Sequence, residues 1–134
     1  MPSKRMLDKI RSFPKQFEFK PVVMNPGTLK QAESFVVLGM GGSNLTPSLI
    51  KIADPFLDLI CHRDYGLSPV KDGVLRNSLI IASSYSGNTE ETLDGFNAAL
   101  AKGLDIAVIA KGGKLLDLAK QHNAPFVELP SVDI

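Results

Sequence analysis

Two short segments of the 134-residue sequence hold residue types suited to binding an anion. The first is Gly39-Met40-Gly41-Gly42-Ser43-Asn44 and the second is Ser83-Ser84-Tyr85-Ser86-Gly87-Asn88-Thr89. Glycines let a backbone adopt positive φ and come close to a ligand. A helix start offers unpaired N–H groups and the positive end of a dipole. In the first segment Gly41, Gly42 and Ser43 are the candidate ligand-lining residues, with the Ser43 hydroxyl expected at the helix cap. In the second, the hydroxyls of Ser84, Ser86 and Thr89 join the backbone around Gly87 and Asn88. Hydroxyls and amides converging at a helix start suit a phosphate monoester. No Lys or Arg lies in that segment. Neutral donors of this kind fit recognition of a phosphate and not its transfer. Ser, Thr and Asn are also ordinary caps and turn formers, so each segment alone says little. Matched positions in one sheet would make them a shared site.

Other chemistries fit less well. A dinucleotide turn needs G-x-G-x-x-G and an acidic residue some 20 positions later. Gly39 and Gly41 match, but Asn44 stands at the third position, with Arg63 and Asp64 as the only candidates for the ribose contact. That reading, a nucleotide-binding fragment, leaves the second segment unexplained. No Walker A pattern occurs. Acid–base work needs a positioned carboxylate or imidazole. Glu90 and Glu91 fall where acids complement a helix dipole, and His122 where the dipole favours a cation. His62 is expected at a crevice rim, Glu128 in solvent, Tyr85 in packing and Cys61 as a small buried apolar residue. No catalytic constellation emerges, and no metal site.

The elements that must hold these segments alternate. Apolar runs at Phe35–Leu38, Leu57–Cys61, Ser78–Ala82, Asp105–Ala110 and Pro125–Leu129 read as strands, the continuous kind buried on both faces. Helical spacing appears at Leu45–Ala53, with Leu45, Leu49, Ile52 and Ala53 on one side, at Thr89–Lys102 and at Lys114–His122. The pattern predicts an α/β fold: an open, doubly wound, five-stranded parallel sheet with helices on both faces. Both Gly-rich segments then lie at strand C-termini, where such sheets bind ligands. They meet only if the first and third strands are neighbours, as in a 2-1-3-4-5 order. Before the sheet, Arg5–Phe13 reads as a short helix stopped by Pro14, and Thr28–Glu33 as one or two helical turns. Residues 1–34 are expected to form an N-terminal arm and 35–134 the domain.

Composition narrows the setting. The net charge of +1 gives no electrostatic footprint for nucleic acid or an acidic membrane. No apolar run approaches the ~20 residues of a membrane span, and Met1–Ile10 lacks a signal-peptide stretch. One cysteine cannot form an internal disulfide. A cytoplasmic location is expected.

Leu38-Gly39-Met40-Gly41-Gly42-Ser43, Arg63-Asp64-Tyr65, the block Ser84-Tyr85-Ser86-Gly87-Asn88-Thr89-Glu90-Glu91-Thr92 and Gly112-Gly113-Lys114-Leu115 together resemble a sugar isomerase (SIS) domain. The likeness is to the N-terminal half of bifunctional phosphoglucose/phosphomannose isomerases and runs from about Phe35 to Pro130. It implies a flavodoxin-like sheet that binds a hexose 6-phosphate. Ser84, Ser86 and Thr89 would hold the phosphate, and Gly42 and Ser43 would line the sugar. The implied reaction is aldose–ketose interconversion through an enediol, with no cofactor. Asn44 departs from the family's usual small residue. Family members continue into a proline–arginine motif and a second SIS domain that carries the base and the ring-opening groups. The resemblance therefore implies a domain catalytically incomplete alone, acting as a homodimer or paired with a second SIS domain. Related SIS domains serve in transcription regulators, so a sugar-phosphate-sensing module is the alternative.

Overall fold

The computed structural model describes residues 3–131. Its strands are β1 (Val23–Met24), β2 (Ser34–Leu38), β3 (Asp58–His62), β4 (Ser78–Ser83), β5 (Asp105–Ala110) and β6 (Phe126–Glu128). Its α-helices are α1 (Lys4–Ser12), α2 (Gly42–Ala53), α3 (Asp72–Arg76), α4 (Glu90–Ala101) and α5 (Gly113–Gln121). The apolar runs form the strands as expected, since side chains on both of their faces can be buried only in a covered sheet.

The sheet order is β1-β6-β5-β4-β2-β3. The five strands from β2 to β6 are parallel and carry the 2-1-3-4-5 order. β2 is the hub: Val36 pairs with Ile60 of β3 on one side and Ile80 of β4 on the other. The sheet has six strands and not five. Val23 and Met24 pair antiparallel with Val127 and Phe126, giving the sheet an edge strand from within residues 1–34. A second correction concerns Thr28–Glu33. A 3-10 turn at Pro26–Thr28 replaces the expected helical turns, and the chain then runs on without helix to β2. Helix α3 had no periodic signal, being only five residues long. The last three residues of the expected 35–134 domain lie outside the described residues.

Helices cover the two faces unequally. Val36, Leu38, Ile80, Ala82 and Val108 point to one face and pack with Leu75 of α3, Phe96 of α4 and Leu115 of α5. This is the core, and Phe96 is its largest fully buried side chain. On the other face only α2 packs closely on the strands, against β2 and β3. Helix ends follow ordinary rules. Gly103 after α4 and Asn123 after α5 take positive φ, the conformation that terminates a helix with its carbonyls satisfied.

Helix α2 departs from its amphipathic reading. It buries Asn44 and Pro47 and leaves Leu45, Leu49 and Ile52 exposed. The periodicity was real, but the stripe faces away from the sheet. Pro47 also lacks the N–H that would bond the Ser43 carbonyl, so the first turn of α2 is incomplete.

Candidate functional site

Leu38 of β2 is level with Ala82 of β4, so the two Gly-rich segments leave adjacent parallel strands at the same end. They meet across a cleft of about 710 Å³. Gly42 and Ser43 line one wall and Ser86 and Thr89 another. Val37, Ile81 and Ile109 of the sheet form an apolar floor.

The second segment is a hydroxyl cluster folded on itself. Ser84 is its buried centre. Its Oγ lies 2.7 Å from Thr89 Oγ1 and 3.5 Å from Ser86 Oγ, and accepts the Gly87 N–H at 3.0 Å. Ser86 Oγ accepts the Asn88 N–H at 3.1 Å. Ser86 and Thr89 line the cleft, whereas Ser84 sits beneath them and fixes the loop. Asn88 turns outward. Its Oδ1 accepts the Lys114 N–H at 3.0 Å, tying the segment to the start of α5. Two backbone bonds reinforce that tie: Leu115 N–H to Gly87 O at 2.8 Å and Lys111 N–H to Tyr85 O at 3.1 Å.

Glycine is obligatory where these loops touch. Gly87 has φ +77°, and a Cβ there would lie 1.8 Å from the Gly112 carbonyl oxygen. Gly113 has φ +73°, and its Cβ would lie 2.4 Å from Ser86 O. The block and the Gly112-Gly113-Lys114 turn are therefore one interlocked unit.

The first segment differs in detail from expectation. Gly41, at φ 54°, is the N-cap of α2, and Ser43 lies inside the first turn. A cap serine was expected, but the chain reverses one step earlier, at the glycine. The Ser43 hydroxyl still borders the cleft. Asn44, the third position of the dinucleotide pattern, is buried, and its amide makes no hydrogen bond among the described residues. The Asp64 carboxylate accepts its neighbour's N–H, from Tyr65, at 2.7 Å.

None of the acid–base candidates lines the cleft. His62 Nε2 lies 3.1 Å from Tyr65 O in the loop after β3. Glu90 accepts the Tyr65 hydroxyl at 3.2 Å, and Asp94 accepts the Gly66 N–H at 2.7 Å. His122 and Glu128 are exposed. The 62–66 loop is thus pinned to the acidic start of α4. Those acids hold the Tyr65 phenol above its ordinary value near 10, first through the Glu90 hydrogen bond and then through the charge of Glu91. Folding binds this proton more tightly, so its contribution is complete below pH 10 and is lost as pH rises past the folded value. An absorbance titration in a Tyr85→Phe background will show Tyr65 ionising above 10, and Glu90→Gln will bring it back towards 10.

Over 104 residues the chain is 39 % identical to a bifunctional phosphoglucose/phosphomannose isomerase of Caldicellulosiruptor bescii, a match covering 74 % of this chain and 29 % of that protein. Over 128 residues it is 33 % identical to one of Aquifex aeolicus, covering 90 % and 37 %. The chain is homologous to these isomerases. A D-glucosamine-6-phosphate 4-epimerase of Sulfolobus acidocaldarius is 37 % identical over 106 residues, covering 78 % of this chain and 33 % of the epimerase. The chain spans about a third of the length of the curated relatives it matches. No family model matches it.

Solved structures share the fold. Vibrio vulnificus NanR, in complex with ManNAc-6P, superposes with a TM-score of 0.59 at 14 % identity, over 94 % of this chain and 51 % of NanR. A Bacillus subtilis protein assigned as a phosphosugar isomerase gives 0.50 at 19 %, over 78 % and 33 %. The fold is that of the SIS phosphosugar isomerases.

Of the residues given a binding role from sequence, Gly42, Ser43, Ser86 and Thr89 line the cleft and Gly41 does not. Met40 and Ser83, inside the two segments but given no role, line it as well, Ser83 by strand alternation from Ile81. Thr46 also lines it and had no sequence signal. Tyr85, expected in packing, lines the cleft, with the Lys111 ammonium 4.9 Å from its ring centre.

Proposed function

We propose that the cleft binds a phosphorylated sugar. The phosphate rests on the Ser86 and Thr89 hydroxyls and on the unpaired N–H groups that open α4, since the Gly87 and Asn88 amides already donate to Ser84 and Ser86. The sugar extends towards Gly41, Gly42 and Ser43. One observation carries this reading: two Gly- and Ser-rich turns, far apart in sequence, line one cleft at the C-terminal ends of neighbouring parallel strands. That is the crevice where open α/β sheets hold ligands. The names of the homologues support a hexose 6-phosphate.

The chain then serves an isomerase of the phosphoglucose/phosphomannose type, which interconverts aldose and ketose through an enediol. Proton transfer between C1 and C2 needs a base. The cleft walls among the described residues hold no carboxylate, imidazole or amine. The acid–base groups come from a second SIS domain, and this domain alone binds without turning over. Residues 1–34 are an arm serving the 35–134 domain, and the protein works in the cytoplasm.

A ¹⁵N-resolved titration tests the reading. Fructose 6-phosphate should produce saturable shifts from Ser84 to Thr89, with NADH producing none. Ser86→Ala should weaken sugar-phosphate affinity about tenfold or more, the loss of one hydrogen bond to a charged group. The fold should be kept, because Ser86 is exposed. A well-dispersed spectrum with no shifts at this segment overturns the assignment. A preference for NADH favours a nucleotide site instead.

A further inference from the structure

The cleft offers a ligand neutral donors, yet a phosphate monoester carries about 1.5–2 negative charges at pH 7. A cation stands at the cleft wall. On β4 the alternating side chains Ile81, Ser83 and Tyr85 face the cleft, and on β5 Ile109 does. Alternation carries that face from Ile109 to Lys111, two residues further on. The backbone keeps strand pairing over this step. The Ser84 N–H donates to Ile109 O at 3.0 Å, and the Lys111 N–H donates to Tyr85 O at 3.1 Å. The side chains follow the backbone. The Lys111 ammonium lies 4.9 Å from the centre of the Tyr85 ring, and Tyr85 lines the cleft beside Ser86.

The contact is one that a lysine can leave. Lys111 is exposed, and an exposed ammonium over an aromatic face is held only weakly. Its flexible four-carbon stem lets the charge change partners. A charge-assisted hydrogen bond to phosphate is roughly twice as strong as a neutral one. We infer that Lys111 supplies the counter-charge for the phosphate, its ammonium moving from the Tyr85 ring to the phosphate oxygens in the complex. The inference rests on the sugar-phosphate reading of the cleft and adds a specificity-determining residue to it. A cation at this place favours the phosphorylated sugar over the free sugar. Nothing in the Ser84–Thr89 block points to it, because Lys111 follows the next strand and reaches the cleft through the β4–β5 pairing.

Calorimetric titration of the full chain with fructose 6-phosphate, at low and at high salt, tests this. At low salt Lys111→Gln should weaken binding about tenfold, the loss of one hydrogen bond between charged groups. The gap should narrow at high salt, where the charge is screened. Lys111→Arg keeps the charge and should recover most of the affinity. Lys120→Gln removes an equal charge from α5, outside the cleft, where the ammonium lies 5.9 Å from the Phe126 ring centre. It should change the affinity by less than about twofold. Lys111 is exposed and its backbone N–H survives each change, so the fold should be kept. An unaltered chain that ignores fructose 6-phosphate overturns the reading of the cleft itself. Binding that is equal in affinity and salt dependence with and without Lys111 leaves that reading standing and overturns this inference. An equal loss in Lys120→Gln also overturns it, because the effect would then belong to the net charge.

Discussion

Gly87→Ala should abolish anion binding and cost the fold several kcal/mol, whereas Gly112→Ala, at the other side of the same contact, should change little. The difference is geometric. At Gly87 an added methyl would lie 1.8 Å from the Gly112 carbonyl oxygen, and the backbone sits at φ +77°. Left-handed backbone costs a residue with a side chain roughly 1–2 kcal/mol. The overlap with a backbone atom adds more, since neither loop can move without breaking the Leu115–Gly87 and Lys114–Asn88 bonds. At Gly112 φ is 172°, ordinary extended backbone, and a Cβ meets nothing within 4 Å. Its replacement should stay within about 0.5 kcal/mol, as for other featureless positions. Denaturant unfolding with a fructose 6-phosphate titration reads both effects. Equal behaviour of the two variants would show that the contact does not shape the turn.

Phe96→Ala should be the most damaging change in the core. Phe96 is fully buried on α4, within the cluster that joins α3, α4 and α5 to the central strands. Truncation of a buried Phe costs about 3–5 kcal/mol through lost transfer energy and the cavity left behind. Domains of this size hold about 5–15 kcal/mol in total, so the variant sits near the edge of folding at 25 °C. A fall in the urea midpoint with the slope unchanged would confirm it. Phe96→Leu should recover a large part of the loss.

Much of the sheet could be read from the sequence because its strands are nearly continuous apolar runs. The segments Phe35–Leu38, Ser78–Ala82 and Asp105–Ala110 have no other comfortable home than a covered parallel sheet. The edge strand Val23–Met24 could not be read in this way. Two residues carry no period, and their pairing with β6 depends on a partner about a hundred residues away. Helix α2 shows a different limit. Periodicity shows that Leu45, Leu49 and Ile52 share a face, but not what that face meets. Here the inward positions go to Asn44 and Pro47, and the stripe is left outside.

The site was legible to the same partial degree. Residue type led to Ser86, Thr89 and Ser43 only because two such hydroxyl- and glycine-bearing turns fall at matched strand ends of one sheet. It could not separate the hydroxyls that face the cleft from Ser84, which holds the others in place. That distinction rests on depth: Ser84 is buried and Ser86 is exposed. Nor could it assign Asn88. An asparagine beside Gly87 looks like a ligand contact, yet its side-chain oxygen is taken by the Lys114 amide.

The interlock between the Ser84–Thr89 block and the Gly112-Gly113-Lys114 turn also decides what can be transplanted. The block looks like a portable peptide motif, short and glycine-bearing. Its shape, however, depends on three hydrogen bonds that reach residues 111, 114 and 115. A peptide spanning only the block would lack those partners and sample many loop shapes. A graft into another scaffold would need both loops, with the β4–β5 pairing that sets their spacing. In chain synthesis the hydroxyl wall of the cleft likewise cannot take form until Leu115 has emerged and docked, well after its own hydroxyls have been made.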